Sequence, residues 1–219
     1  MHVRACAAAV VLATGPMLGC SPSPQADPCA GEMLGDGGAP DFDMLIVASD
    51  YTVHPLSDGD TVPMMLPPQG GRVIFVGVRA TNVCAKGVQL TGALRDPATN
   101  QVRVDSRTTN LVPTGDGWGV SAPLGEMVSD DIASFSNVPV CPNQWASTDL
   151  FGHAFGMEVT IADKEHRGLT KKIDVTPACG EPSNAAQCMC ICMAGYILGE
   201  PCDGGVDGGV EGGVDGAAG

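Results

Sequence analysis

Between residues 41 and 177 apolar side chains recur at every second position, and that period confines the chain to β-strands. Phe42, Met44 and Ile46 open the pattern. The run 72–78 (Arg-Val-Ile-Phe-Val-Gly-Val) is almost continuously apolar, as expected of a central strand buried on both faces. Val88, Leu90, Gly92 and Leu94 alternate with polar or small residues, and Val102 and Val104 mark a shorter strand suited to an edge. Phe155, Met157, Val159 and Ile161 form the next alternation. Leu169, Lys171, Ile173 and Val175 form the last, and Lys171 on the apolar face places the start of that strand near solvent. Turn-forming clusters at 57–60, 67–71, 95–97, 114–117 and 140–143 separate the runs. With 30 glycines and 17 prolines, strands and turns are favoured over helices. The expected fold is all-β: an antiparallel β-sandwich of seven or eight strands over residues 41–178, with no helix beyond a short turn within 129–135.

The hairpin around Gly168 carries the most specific signal of this domain. Residues 157–163 end in Asp163, residues 164–168 supply a glycine-containing turn, and residues 169–176 are threonine-rich. This resembles the last hairpin of bacterial immunoglobulin-like domains. The resemblance covers about twenty residues and implies an immunoglobulin-like architecture only, because the Cys–Trp–Cys spacing of antibody domains is absent.

The N-terminal twenty residues have a different character. Arg4 precedes an apolar stretch at 5–14, Gly15-Pro16 breaks it, and Met17-Leu18-Gly19-Cys20 follows. That is the plan of a secretory signal peptide, too short for a membrane span. The last four residues resemble a bacterial lipobox, with Met17 where the family norm is Leu. The resemblance implies a signal at 1–19, acylation of Cys20 and attachment to the cell envelope. Ser21 is permissive for outer-membrane transport in such families. Residues 20–40, rich in Pro and Gly, read as a flexible tether.

Removal of Arg4 leaves ten basic residues against 25 acidic ones, a net charge of −15. Nucleic acid is excluded as a partner, since there is no basic surface to displace counterions. Adsorption to anionic headgroups is disfavoured likewise, so the acyl chains would be the membrane contact.

Ten cysteines occur, of which Cys6 leaves with the signal and Cys20 is the lipid site. The remaining eight, Cys29, Cys84, Cys141, Cys179, Cys188, Cys190, Cys192 and Cys202, form an even set that implies disulfides in an oxidising compartment. Five of them fall within residues 179–202, a Cys-rich knot. There Cys190-Ile-Cys192-Met-Ala-Gly195-Tyr196, followed by Cys202, resembles the C-terminal half of an epidermal-growth-factor-like module. The resemblance implies a small hairpin with Cys192 paired to Cys202; the first half of such a module does not match. Residues 203–219 repeat Asp/Glu-Gly-Gly-Val and cannot bury enough surface to order, so a disordered tail is expected.

No Gly-x-Ser-x-Gly, His-Glu-x-x-His or phosphate loop is present, and no catalytic residue, metal or cofactor is assigned. His54, His153 and His166 lack metal-ligand spacing. Asp58, Asp60, Asp130 and Asp131 could offer oxygens to calcium, but such a site needs six or more oxygens, and plain Asp-Gly turn chemistry explains these residues as well. Trp118 and Trp145 lie in Gly/Asn-rich segments, where tryptophan either packs inward or grips a ligand. The expectation is an exported, lipid-anchored, non-catalytic envelope protein with an adhesive, structural or binding role towards a protein or glycan. Two alternatives stand beside it: soft-metal binding by the Cys/Met run 188–193, where thiolate and thioether ligands suit Cu(I), and a carbohydrate-binding accessory role.

Overall fold

The computed structural model describes Cys29, residues 31–128 and residues 132–202. The signal at 1–19, Cys20, Asp130, Asp131 and the tail at 203–219 lie outside the described residues. Among the described residues the chain forms eleven strands: β1 (Asp41–Val47), β2 (Val53–Pro55), β3 (Thr61–Pro63), β4 (Arg72–Thr81), β5 (Lys86–Arg95), β6 (Val102–Asn110), β7 (Val112–Pro113), β8 (Trp118–Val120), β9 (Ser136–Cys141), β10 (Phe155–Ala162) and β11 (Gly168–Ala178). One helix, α1 (Ala185–Cys192), follows them. The first sheet runs β2-β1-β4-β8-β7, with β9 also paired to β4; the second runs β3-β11-β10-β5-β6. Eleven strands exceed the seven or eight expected: seven have six residues or more, and the other four have two or three. The pairings are antiparallel except that β3 runs parallel to β11, which makes the second sheet mixed.

Strand β4 explains why its sequence loses the alternation. Ile74, Val76 and Val78 join the main core with Phe42 and Met44 of β1, Leu90 and Leu94 of β5, and Phe155, Met157, Val159 and Ile161 of β10. Val73 and Phe75 face the other way, into a second cluster with Leu45, Val47, Val53, Met65, Val128 and Phe135. Both faces of β4 are therefore dry, and both must be apolar. Gly77 sits where Phe135 crosses the strand; a Cβ there would lie 2.5 Å from the phenylalanine ring. The segment that covers this outer face contains the short 3-10 turn Ile132–Ser134, inside the region where the sequence allowed one.

The β10–β11 hairpin forms in the register its alternation implies, with Val159 opposite Lys171 and Ala162 opposite Gly168. Asp163 then organises the turn. Its buried carboxylate accepts the main-chain N–H groups of Cys84, Glu165 and Arg167 and pairs with the Arg167 guanidinium at 2.9 Å. Burial opposes its charge most strongly, yet these donors hold the carboxyl below its ordinary range. Val102 and Val104 of β6 stand exposed at the free end of the second sheet, as an edge strand should.

Three expectations need correction. Residues 140–143 read as a turn, yet Val140 and Cys141 belong to β9, which carries Pro139 inside it. The strand is tolerated because, among the described residues, β9 pairs with β4 alone and Pro139 is exposed on it. The tether expected over 20–40 does not persist beyond Cys29. A Cys29–Cys84 disulfide, the Met33–Cys84 bridge and buried Leu34, whose N–H donates to Val83 O at 2.9 Å, fasten this segment to the domain. These contacts offset the ordering entropy that its composition alone could not.

The third correction concerns the C-terminal cysteines. The hairpin of the growth-factor-like resemblance is replaced by α1, and Cys192 pairs with Cys141, leaving Cys190 to pair with Cys202. Ala185, Ala186 and Gln187 favour a helix. Once the segment is helical, Cys188 and Cys192 lie four apart on one face. That face is buried in the main core, while Cys190 points elsewhere and stays half-buried. The remaining bond, Cys179–Cys188, closes the approach to the helix. Arg72 completes the docking: fully buried at the start of β4, it reaches Glu181 at 3.0 Å and donates to Asn184 O at 3.2 Å.

Candidate functional site

The eight cysteines are consumed in four disulfides. The groups of ligating side chains that cluster among the described residues are Cys179, Cys188 and Cys192, and Cys29, Cys84 and Asp163. The first is built from disulfide sulfurs, which have no lone thiolate to give a soft metal, and the second joins one disulfide to the Asp163 carboxylate, whose oxygens already accept from Cys84, Glu165 and Arg167. In the run 188–193 the remaining soft donors are Met189 and Met193, each about half exposed. The histidines are dispersed. His153 lies against Phe151 O, and His166 occupies the turn after Asp163 with φ of 62°. His54 Nε2 is 2.7 Å from Thr52 Oγ1, and that hydroxyl donates to Asp50 at 2.5 Å. The order is opposite to that of an activated nucleophile: the carboxylate, not the imidazole, accepts the hydroxyl's hydrogen bond. Asp60 accepts from Ser57 N within its turn, and Asp58 accepts from Asp174 N of β11, so each spends an oxygen on local structure.

The two tryptophans separate. Trp145 is buried, packs on Phe155 at 5.9 Å and donates its indole N–H to Val140 O. Trp118 is half-buried and lines a groove of about 540 Å³ at the end of the domain where the Cys29 segment crosses β7 and β8. Leu34, Leu111 and Pro113 supply apolar wall, and Glu32, Lys86 and Asn110 supply polar groups. The ring is held in place before any ligand arrives. Arg79 of β4 lies over it at 4.3 Å and is itself paired with Asp116 at 2.8 Å and Asp43 at 3.4 Å. The Trp118 N–H donates to Asp116 Oδ1, and Trp118 O accepts from Thr114 N. The Thr114 hydroxyl contributes most to holding the Asp116 carboxyl down to about 2, and the Trp118 N–H and Arg79 add to it against the opposing effect of burial.

A larger hollow of about 760 Å³, lined by Tyr51, Leu66, Phe75 and all four residues of the 67–70 turn, is less persuasive as a site. The amide of Asn137 at its edge is already turned to Phe135 O and Arg107. The Trp118 groove was only half legible in sequence. Asp116-Gly117-Trp118-Gly119 drew attention to the indole, but Glu32, Lys86 and Asn110 come from three distant segments and Arg79 from a fourth. No family model matches this sequence, and no curated protein matches it.

Proposed function

We propose that the protein is exported, acylated at Cys20 and held at the outer membrane of a bacterial envelope, where an immunoglobulin-like β-sandwich acts as a non-catalytic binding module. The observation that carries this reading is the complete pairing of the eight downstream cysteines. Such pairing suits an oxidising compartment. With Cys6 removed in the signal, Cys20 is the one cysteine outside these four bonds in a chain cleaved after residue 19. An immunoglobulin-like arrangement is supported by two sheets facing one core and by the β10–β11 hairpin. No helix among the described residues is long and apolar enough to cross a membrane, which is consistent with attachment through lipid.

Mass spectrometry of the mature protein tests the reading. The expected N-terminal peptide begins at Cys20 and carries diacylglycerol and an amide-linked acyl chain. A Cys20→Ser variant should leave the membrane fraction. An unprocessed N-terminus, or cytosolic protein with reduced thiols, overturns the assignment.

A further inference from the structure

We propose that the Trp118 groove binds a neutral glycan, with a pyranose ring stacked on the indole. The proposal deepens the binding-module reading and rests on it for the claim that this domain captures a ligand. Three features of the groove point to a sugar. First, the indole is rigid and has one face taken by Arg79. Arg79 borders a separate hollow with Phe42 and Lys171, so it does not compete for the groove. A pyranose presents an apolar C–H face of matching size to the other side of the ring, and a rigid platform loses little entropy on binding.

Second, the groove holds unspent hydrogen-bonding capacity of both kinds. Among the described residues the Trp118 indole N–H has no acceptor. Asn110 uses its Oδ1 to accept from Gly87 N, and its Nδ2 donor has no partner among the described residues. Glu32 pairs with Lys86 through Oε1 and keeps Oε2 as an acceptor. Sugar hydroxyls donate and accept at once, and few other ligands use a mixed set so fully.

Third, charge selects a neutral ligand. Lys86 and Glu32 cancel within the groove, and a net charge of −14 over the chain repels polyanions. An extended peptide fits less well. Pro113 of β7, the edge strand of its sheet, lines the groove and has no N–H to offer an added strand.

The chain contains only Trp118 and Trp145, and Trp145 is buried, so fluorescence reports on the groove directly. The mature acylated protein in a sugar-free zwitterionic detergent is titrated with gluco-, chito- and manno-oligosaccharides of four to six units, and with sulfated and sialylated counterparts. The expected result is a saturable fluorescence change and protection from acrylamide quenching with at least one neutral series. The anionic counterparts should bind at least tenfold more weakly. Trp118→Ala should abolish the response in affinity chromatography on the same glycan. Because Trp118 also packs on Arg79, a second variant guards against misfolding. Asn110→Asp keeps the acceptor for Gly87 N but removes the free donor, and should weaken binding about fivefold with an unchanged melting temperature.

Absence of binding to all three neutral series overturns the proposal. So does binding that survives Trp118→Ala, preference for the anionic sugars, or displacement of the glycan response by a cationic peptide alone. The two readings fail separately: a chain acylated at Cys20 without glycan binding removes the groove assignment only, and glycan binding by an unacylated chain removes the anchor only.

Discussion

Replacement of Glu181 by glutamine should destabilise the domain far more than a surface substitution does. The Arg72 side chain is fully buried, and its Nη1 meets Glu181 Oε2 at 3.0 Å. Its Nη2 donates to Asn184 O, and its Nε finds no partner among the described residues. Among the described residues the carboxylate is thus the only counter-charge paired with this guanidinium. Glu181 Oε1 accepts from Leu66 N at 3.2 Å, and a glutamine oxygen can keep that bond. Glu181→Gln therefore isolates the charge while sparing the shape. Removing one member of a buried pair costs about 3–5 kcal/mol, and the partial exposure of Glu181 places this case near the lower bound, about 3 kcal/mol. At an m-value of about 2 kcal/mol/M the urea midpoint should fall by about 1.5 M, with the disulfides intact. Arg72→Met in the Glu181→Gln background should recover part of the loss, because the apolar stem remains and the uncompensated charge is gone. The double-mutant cycle should show coupling above about 1 kcal/mol. A midpoint shift under about 0.3 M for Glu181→Gln, or strict additivity, would refute the claim that this ion pair clasps the C-terminal segment onto β4.

Three further outcomes are expected. Replacing Cys141 and Cys192 with alanine opens a loop spanning 51 positions and should cost about 4 kcal/mol, against about 3 kcal/mol for Cys190 and Cys202 at 12 positions; a non-reducing peptide map showing Cys192 joined to Cys202 would contradict the connectivity. Asp96 is buried, which opposes its charge, but N–H donors led by Ser147 and Ala98 outweigh this and bring its carboxyl from 3.8 to about 2. Its folded value lies below its unfolded one, so its stabilisation is full above pH 3.8 and lost as pH falls towards 2. Thermal unfolding of Asp96→Asn should therefore depend less on pH across that window than the native chain, and equal slopes would dismiss the effect. Gly168→Ala should cost about 2–3 kcal/mol, since its Cβ would lie 1.9 Å from Ile161 O and the hairpin backbone must move; an unchanged melting temperature would contradict the Ala162–Gly168 register.

Much of the strand layout was legible because burial on a pleated sheet imprints its period on neighbouring residues. Phe155, Met157, Val159 and Ile161 alternate and are all buried. Strand β4 runs without alternation and is buried on both faces. Strand β9 escaped because Pro139 and the following Cys-Pro-Asn mimic a turn, and only its place at the side of β4 makes the proline tolerable. Helix α1 escaped because three cysteines at alternate positions suggest a knot. Reading Cys188 and Cys192 as an i, i+4 pair above Ala185-Ala186-Gln187 would have found it.

By itself, the order of residues determined the β class, the dry central strand, the last hairpin and the even set of cysteines. Each is a matter of local period or of parity. Tertiary structure alone decided that Cys192 meets Cys141, that Arg72 is buried against Glu181, and that Glu32, Lys86 and Asn110 gather beside Trp118. Those pairings join segments separated by tens of residues. Local pattern reports which side of an element is buried, while the identity of the neighbour across the core depends on how whole sheets pack.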